Sequence, residues 1–405
     1  MNWLDGEKGR RLIIVANRLP YRIGTADGKT QVHRTVGGLV SALQPLAATV
    51  GATWVGWDDG QTAAWSRASD RSRIKTEFPI VPVELPERIR QPFYGGFCNA
   101  TLWPLFHGFL GRCEFQRGGF DAYEKGNSIF ATKVRRIARP GDTIWIHDYH
   151  LMLMPSLLRE AGVRSRILFF LHIPFPSVDL FSHLPWRREI LKGLSGADVV
   201  GLQGPSNVRH MREALDLFPV ELTAGRGRWS GPPEIRSLPI SIDTQRLASL
   251  ARSDEISGHA RALKRSFHGR KVVLSVERMD YAKGIVERLR AIEHLFENRP
   301  DLRGRVSFLQ LSVPSRAGVR SYDRYRREVD EMVGRLNGRF SRPEWSPVRY
   351  LFRSLPEADL LAYYLAADVC LVTSLNDGMN LVAKEYVASR RGDDGVLVLS
   401  EFVGA

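Results

Sequence analysis

Short apolar, β-branched runs recur along this chain, each followed by a polar loop and then a helical pattern. The clearest are Arg11–Ala16 (RLIIVA), Thr143–His147 (TIWIH), Arg166–Leu171 (RILFFL), Val199–Leu202, Val272–Val276, Val306–Leu311 and Val369–Thr373. A run that is apolar throughout, rather than alternating, reads as a strand buried on both faces. Such strands, separated by helices, form a parallel sheet with helices on each side. The expected class is therefore α/β, with doubly wound parallel sheets. In open sheets of this kind ligands gather at the carboxyl ends of the strands. The loops that follow these runs are where chemistry is to be sought.

The pattern runs twice. With 405 residues and 43% hydrophobic content the chain can bury two large cores. A polar helix beginning near Asp243–Glu255 marks the boundary, giving domains of 1–245 and 246–405. Thr53–Trp57, Ile74–Val83, Arg349–Phe352 and Gly395–Ser400 add expected strands, Ser237–Ile242 closes the first half, and Thr223–Pro233 reads as a surface loop. No apolar run approaches the roughly 20 residues of a membrane span. The polar start, Met1–Arg10, has no apolar core of a secretory signal. Three dispersed cysteines, Cys98, Cys113 and Cys370, suit a reducing, cytoplasmic setting. The net charge of +14 is spread among acidic residues without a basic block, which argues for small anionic substrates over nucleic acid.

Several loops at expected strand ends carry candidate chemistry. After Val369–Thr373, Asp377 lies in a turn and a helix begins near Met379. The amides of Met379, Asn380 and Leu381 at that helix start favour a phosphate. Glu385, two turns on, suits a ribose diol. Asp377 is equally a helix-capping residue in this pattern. Arg278 and Lys283, five residues apart after Val272–Val276, form a clamp for a diphosphate. Arg18 follows the first run and either grips an anion or lies on the surface. Gly37-Gly38 precedes a helix and lets backbone approach a phosphate. Tyr94 and Trp103 belong to an aromatic stretch that forms either core or a sugar platform. Asp148 sits where it serves a ligand, caps the next helix, or both. His172 is held in the rigid loop His-Ile-Pro-Phe-Pro. Arg18, Tyr94, Trp103 and Asp148 together suit a phosphorylated sugar. No Asp-x-Asp or His/Cys cluster offers a metal site, so Arg and Lys would stabilise a leaving diphosphate. Metal-independent glycosyl transfer follows, with no cofactor.

The motifs NRLP (17–20), VGGL (36–39), WVGW (54–57), NATLWPLFH (99–107), WIHDYHL (145–151), FFLHIPFP (169–176), SVERMDYAKG (275–284), PSR (314–316), NGRF (337–340) and DGMNLVAKEY (377–386) occur in order along the chain. Together they resemble the trehalose-6-phosphate synthase family of retaining glycosyltransferases. The resemblance implies the GT-B fold, two Rossmann-like domains facing a cleft. It implies transfer of glucose from a nucleotide sugar, usually UDP-glucose, to glucose 6-phosphate. By the same resemblance, Arg18, Tyr94, Trp103 and Arg316 would hold the acceptor phosphate, Trp57 would line the acceptor pocket and Asp148 would bind acceptor hydroxyls. Gly38 would approach the donor and His172 would contact the transferred glucose. Arg278 and Lys283 would hold the diphosphate. Asp377, Met379, Asn380 and Leu381 would bind donor glucose and phosphate, with Glu385 on the ribose and Leu355 beside the base. Retention implies front-face attack, with the leaving phosphate accepting the proton and no protein nucleophile.

Two departures stand out. The family often has Pro-Leu-Arg before the position of Asp377, where this chain has Ser374-Leu375-Asn376. The family also continues past the position of Ala405, so the resemblance predicts an uncovered second sheet, weak stability and little activity if the chain ends there. Glucosylglycerol-phosphate synthases and nitrogen-linking pseudo-glycosyltransferases are the enzymatic alternatives, and a non-catalytic sugar-phosphate sensor is the alternative of another class. Assembly as a dimer or tetramer is expected, and UDP, ADP and GDP all remain open as the donor nucleotide.

Overall fold

A computed structural model of the protein describes residues 11–26, 29–35, 38–61, 64–65, 76–221, 231–316, 318–390, 392 and 394–405. The polar start Met1–Arg10, Gly37 of the glycine pair and most of the loop 223–233 lie outside these residues. The chain divides into two compact units, Met1–Ile240 and Ser241–Ala405. The helix Thr244–Ala251 opens the second, and Asp243 caps it by accepting from the Arg246 amide.

The first unit holds β1 (Leu12–Arg18), β2 (Tyr21–Ala26), β3 (Lys29–Arg34), β4 (Thr53–Trp57), β5 (Ile80–Val83), β6 (Thr143–His147), β7 (Arg166–Phe170), β8 (Val199–Leu202) and β9 (Glu234–Ser237). β2 and β3 form a separate antiparallel hairpin. The other seven make one sheet in the order β5-β4-β1-β6-β7-β8-β9, every pair parallel. From β1 the chain builds outward through β4 and β5, then returns to β6 on the other side. The β1/β6 junction is thus the switch point, where two neighbouring loops leave in opposite directions and open a crevice. Leu12 to Asn17 of β1 are buried and Arg18 at its carboxyl end is exposed, the pattern of a strand covered on both faces with a bare end. The expected strand Ile74–Val83 is shorter, Ile80–Val83, with Ile74 outside the described residues. The last strand of this unit is Glu234–Ser237, and the unit ends at Ile240.

One glycine shapes the edge of this crevice. The β1–β4 register shifts between Val15 and Arg18. A Cβ on Gly56 would come within 2.7 Å of the Arg18 carbonyl carbon, so only glycine lets the irregular end of β1 lie against β4. The buried Trp54 indole then donates to the Arg18 carbonyl at 3.2 Å. The aromatic stretch is helical: Gln91–Leu102 is wound as a π-helix and runs straight into the α-helical turn Trp103–Phe106. Phe97 of that stretch is core, packed edge-on against Phe120 and Trp186.

The second unit holds β10 (Lys271–Arg278), β11 (Val306–Val313), β12 (Val348–Phe352), β13 (Val369–Val372) and β14 (Val396–Leu399). They form a parallel sheet in the order β12-β11-β10-β13-β14. Here the switch point lies between β10 and β13. The core under the sheet joins Val272, Leu274 and Val276 of β10 to Leu309, Leu361, Cys370 and Tyr386. β14 is an edge strand on which Val396, Val398 and Leu399 are exposed. Both units are therefore Rossmann-like. Among the described residues no helix is long and apolar enough to cross a membrane.

Arg159 is buried, and its guanidinium is met by polar partners. Its guanidinium pairs with Asp198 at 2.8 Å and donates to the carbonyls of Val163, Ser165 and Gly196. Asp198 also accepts from the Ile167 amide at 2.7 Å. Removing one partner of such a pair strands a buried charge. Arg159→Leu is expected to lower the unfolding free energy by about 3–5 kcal/mol, read as a lower urea midpoint with an unchanged slope; a shift below about 1 kcal/mol would mean that water reaches Asp198.

Candidate functional site

In the first unit the candidate residues collect at the carboxyl edge. Arg18 ends β1 and Trp57 ends β4, and the two are register partners. The Arg18 guanidinium carbon lies 5.2 Å from the ring centroid of Trp57 and 5.2 Å from that of Tyr94. These rings hold the cation by their faces and leave its in-plane N–H fork for an acceptor. Tyr94 stacks in turn on His150, with ring centroids 5.8 Å apart and planes 9° apart. Asn99 ties the cluster together, donating to the Tyr94 carbonyl at 2.8 Å and accepting from the Tyr149 hydroxyl at 3.0 Å. Trp103 packs on His107 and Tyr149 and is 4% exposed. It braces the cluster and has little face to offer a sugar.

Asp148 follows β6 in a left-handed backbone conformation, φ 75°. That conformation is costly for a non-glycine residue and is held on both sides. The Asp148 amide donates to the Phe170 carbonyl at 2.8 Å, and its Oδ1 accepts from the His172 amide at 3.3 Å. Its side chain makes no capping hydrogen bond to the turn that follows, so of the two sequence readings the cap is not the one seen. His172, just beyond β7, also has its carbonyl held by Gln203 Nε2 at 3.3 Å, and Gln203 is fixed by the Ile240 amide at 3.0 Å. The His172 ring meets that of His147, Nε2 to Nδ1, at 3.1 Å. Burial pushes His172 down to about 3. Burial, with His172 adding to it, pushes His147 well below the usual imidazole range. Gly38 is exposed at the first position of the helix Gly38–Val50.

In the second unit Arg278 ends β10, exposed, and Lys283 lies in a one-turn 3₁₀ helix, Tyr281–Lys283. The Lys283 ammonium meets Asp377 Oδ2, and Asn380 Nδ2 donates to the same oxygen at 3.1 Å. Lys283 is thus paired with Asp377, which the sequence reading of an Arg278–Lys283 clamp did not foresee. Gly284 ends the turn at φ 65°, where a Cβ would sit 2.6 Å from the Thr373 carbonyl. The Lys283 carbonyl accepts from Arg288, whose buried guanidinium also reaches Glu277, Gln310 and Thr373. Sequence reasoning missed Arg288, Glu277 and Gln310. A signal existed: Glu277 and Gln310 interrupt apolar strands, and a polar residue in a doubly covered strand needs a buried partner.

Other expectations are refined. The helix begins at Leu381, not Met379, because Asn380 is its cap and accepts from the Ala383 amide at 2.9 Å. The Asn380 amide, expected to face a phosphate, donates to the Gly404 carbonyl at 2.6 Å. Glu385 accepts from the Tyr364 hydroxyl at 2.8 Å. Its burial raises its carboxyl, Tyr364 opposes that, and Glu357 adds to it. Leu355 lies between β12 and the next helix, half-buried against the core. Arg316, grouped with the acceptor residues by resemblance, belongs to the second unit, where its buried guanidinium pairs with Asp280 and stacks on Tyr322 at 4.8 Å. Among the described residues no group of three or more His, Cys, Asp or Glu side chains is placed to hold a metal ion.

The two histidines set a sign for acid behaviour. Each resists protonation in the fold but accepts it, near 6.5, once unfolded. Stability from them is full above about pH 6.5 and is lost as pH falls toward 3. Unfolding free energy measured between pH 7 and pH 4 is expected to fall more steeply in the parent chain than in His147→Leu; equal slopes would show that His147 is solvated and titrates normally.

Comparison with known proteins places this geometry. The profile of glycosyltransferase family 20 matches residues 10–405. The α,α-trehalose-phosphate synthase [UDP-forming] A of Dictyostelium discoideum is 37% identical over the whole chain, which spans 56% of that protein. The corresponding synthase 2 of Aspergillus fumigatus is also 37% identical over the whole chain, here 86% of the relative. A crystal structure of the UDP-forming synthase from Burkholderia xenovorans, in complex with glucose-6-phosphate, superposes with a TM-score of 0.84 at 33% identity, covering 98% of this chain and 86% of that one. The two parallel-sheet units are those of the GT-B synthases, and the chain belongs to glycosyltransferase family 20.

Proposed function

We propose that this chain moves glucose from UDP-glucose to glucose 6-phosphate, giving α,α-trehalose 6-phosphate and UDP with retention at the anomeric carbon. The observation that carries the reading is Arg18, laid between Trp57 and Tyr94 at the first switch point with Asp148 at the neighbouring strand end. A planar cation with its N–H edge open suits a phosphate, and a carboxylate beside aromatic faces suits the hydroxyls of the same sugar. The Burkholderia xenovorans relative, solved with glucose-6-phosphate, supports that choice of acceptor.

The roles follow by unit. In residues 1–245, Arg18 holds the acceptor phosphate, Trp57, Tyr94 and Trp103 shape and brace its pocket, and Asp148 takes acceptor hydroxyls. His172 contacts the transferred glucose, and Gly38 allows close approach of the donor. In residues 246–405, Arg278 and Lys283 neutralise the diphosphate as it leaves, with Arg316 assigned to the acceptor phosphate once it exchanges Asp280. Asp377 and the backbone of Met379, Asn380 and Leu381 take donor glucose and phosphate, Glu385 the ribose, and Leu355 the base. The leaving phosphate accepts the acceptor's proton, so no side chain acts as a nucleophile. The cations do the work a metal would otherwise do, and neither metal nor cofactor is required. A cytoplasmic setting, in keeping with three free cysteines, and assembly as a dimer or tetramer belong to the same proposal.

The test is nucleoside diphosphate release from UDP-, ADP- and GDP-glucose with and without glucose 6-phosphate. Release from UDP-glucose that requires glucose 6-phosphate is expected. Binding of glucose 6-phosphate with no release from any donor would overturn the transfer reading in favour of a sensor. Arg18→Ala is expected to lower kcat/KM for glucose 6-phosphate by about 10- to 150-fold, the worth of a charge-assisted hydrogen bond. Lys283→Ala is expected to lower kcat by about 100- to 1,000-fold. Equal losses in KM for both substrates in either variant would point to misfolding instead.

A further inference from the structure

His147 has no place among the substrate-binding residues above, yet its environment is unusual. It ends β6, and its ring is wholly enclosed, with Trp145 at 4.5 Å and Phe170 at 6.3 Å between centroids. Its Nδ1 lies 3.1 Å from Nε2 of His172. Its own Nε2 is buried without a hydrogen-bond partner. His172, by contrast, is partly exposed.

Two neutral imidazoles that share one hydrogen bond admit two arrangements. In the first, His147 carries its proton on Nδ1 and donates to His172 Nε2. His147 Nε2 is then a bare lone pair, and His172 must carry its own proton on Nδ1. In the second, His172 donates from Nε2, and His147 must bury an N–H on Nε2 among aromatic rings. Orphaned buried N–H groups are rarer than orphaned acceptors, and an aromatic face is only a weak acceptor for one. The first arrangement is therefore preferred. Burial keeps both rings neutral, consistent with the depressed protonation of each.

We infer that His147 is a positioning residue that fixes His172 as the Nδ1–H tautomer, so that His172 presents a hydrogen-bond donor, not a lone pair, on the side away from His147. Free histidine prefers the opposite tautomer, so the choice is imposed by the fold. The backbone of His172, clamped by Asp148 and Gln203, keeps that N–H aimed. Such a group selects a hydroxyl or phosphate oxygen, and it cannot act as a general base. This deepens the reading of His172 as a contact to the transferred sugar and rests on that reading for its consequence in binding.

The experiment is two-bond ¹H–¹⁵N correlation spectroscopy of the full chain labelled with ¹⁵N-histidine, with His147→Asn and His147→Leu as variants. Asparagine returns an N–H near the position of Nδ1; leucine returns none. In the parent chain at pH 7, His172 is expected to show the Nδ1–H tautomer over the alternative by at least about tenfold. His147→Asn should keep it and His147→Leu should lose it. KM for UDP-glucose should rise about tenfold in His147→Leu, stay within about threefold in His147→Asn, and leave KM for glucose 6-phosphate unmoved in both. A parent His172 in the Nε2–H or protonated form overturns the inference, even if His147→Leu fails to fold. An unchanged tautomer in His147→Leu overturns it as well. If the tautomers behave as stated but no nucleotide sugar binds or turns over, the positioning role stands and the proposed transferase function fails.

Discussion

The second unit depends on one buried guanidinium. Arg288 is buried with five N–H donors, and four acceptors are held in place to meet them. It finds Glu277 on β10, Gln310 on β11, Thr373 just past β13 and the carbonyl of Lys283. Gln310 returns a hydrogen bond to Glu277 and another to Ser312. Three adjacent strands are thereby locked at a single register at their carboxyl ends, and the loop carrying Lys283 is fastened to them. A one-residue slip in any strand would exchange its faces and leave a buried charge unpaired. Satisfying Arg288 and building the candidate site are the same requirement.

The amino ends of the strands are pinned by a different device. Asp142 precedes β6 and pairs with Arg11 at 2.7 Å; Asp198 precedes β8 and pairs with Arg159; Asp368 precedes β13 and meets Lys264 and Lys271. Each carboxylate also accepts from a backbone amide at a strand start or loop, namely those of Arg139, Ile167 and Val272. Asp148 and Asp377 lie at the opposite edge, past the carboxyl ends of β6 and β13. In a parallel sheet every strand points the same way, so the two edges can be specialised without conflict: one for stability and one for chemistry.

This polarity explains what could be read from the chain and what could not. Continuous apolar runs betrayed the strands because a doubly covered strand needs no alternation, and strand direction then placed Arg18, Asp148, Arg278 and Asp377 at the carboxyl edge. The limits came where a residue's role depends on distant partners. The Gln91–Leu102 stretch gave no helical reading because Gly95, Gly96 and Pro92 argue against a helix, whereas packing of Phe93 and Phe97 into the core sustains a π-helix. The partner of Arg316 is Asp280, 36 residues away, and nothing local in the sequence announces that pairing. His147 and His172 are 25 apart in sequence and meet only because β6 and β7 are neighbours.

The candidate cations are not equivalent in electrostatic terms, and the difference bears on how each would receive an anion. Arg18 is held by ring faces, which stabilise a cation without neutralising it. Lys283 is already neutralised by Asp377, and Arg316 by Asp280. An anion reaching either must compete with a carboxylate that is itself anchored, Asp377 by Asn380 and Asp280 by the Ala282 amide. An arriving anion must therefore match the charge density of a carboxylate, because one Coulombic contact is traded for another in the same low-dielectric surroundings. Arg18, framed by aromatic faces, and Lys283 and Arg316, each paired with a carboxylate, therefore offer an incoming anion different electrostatic settings.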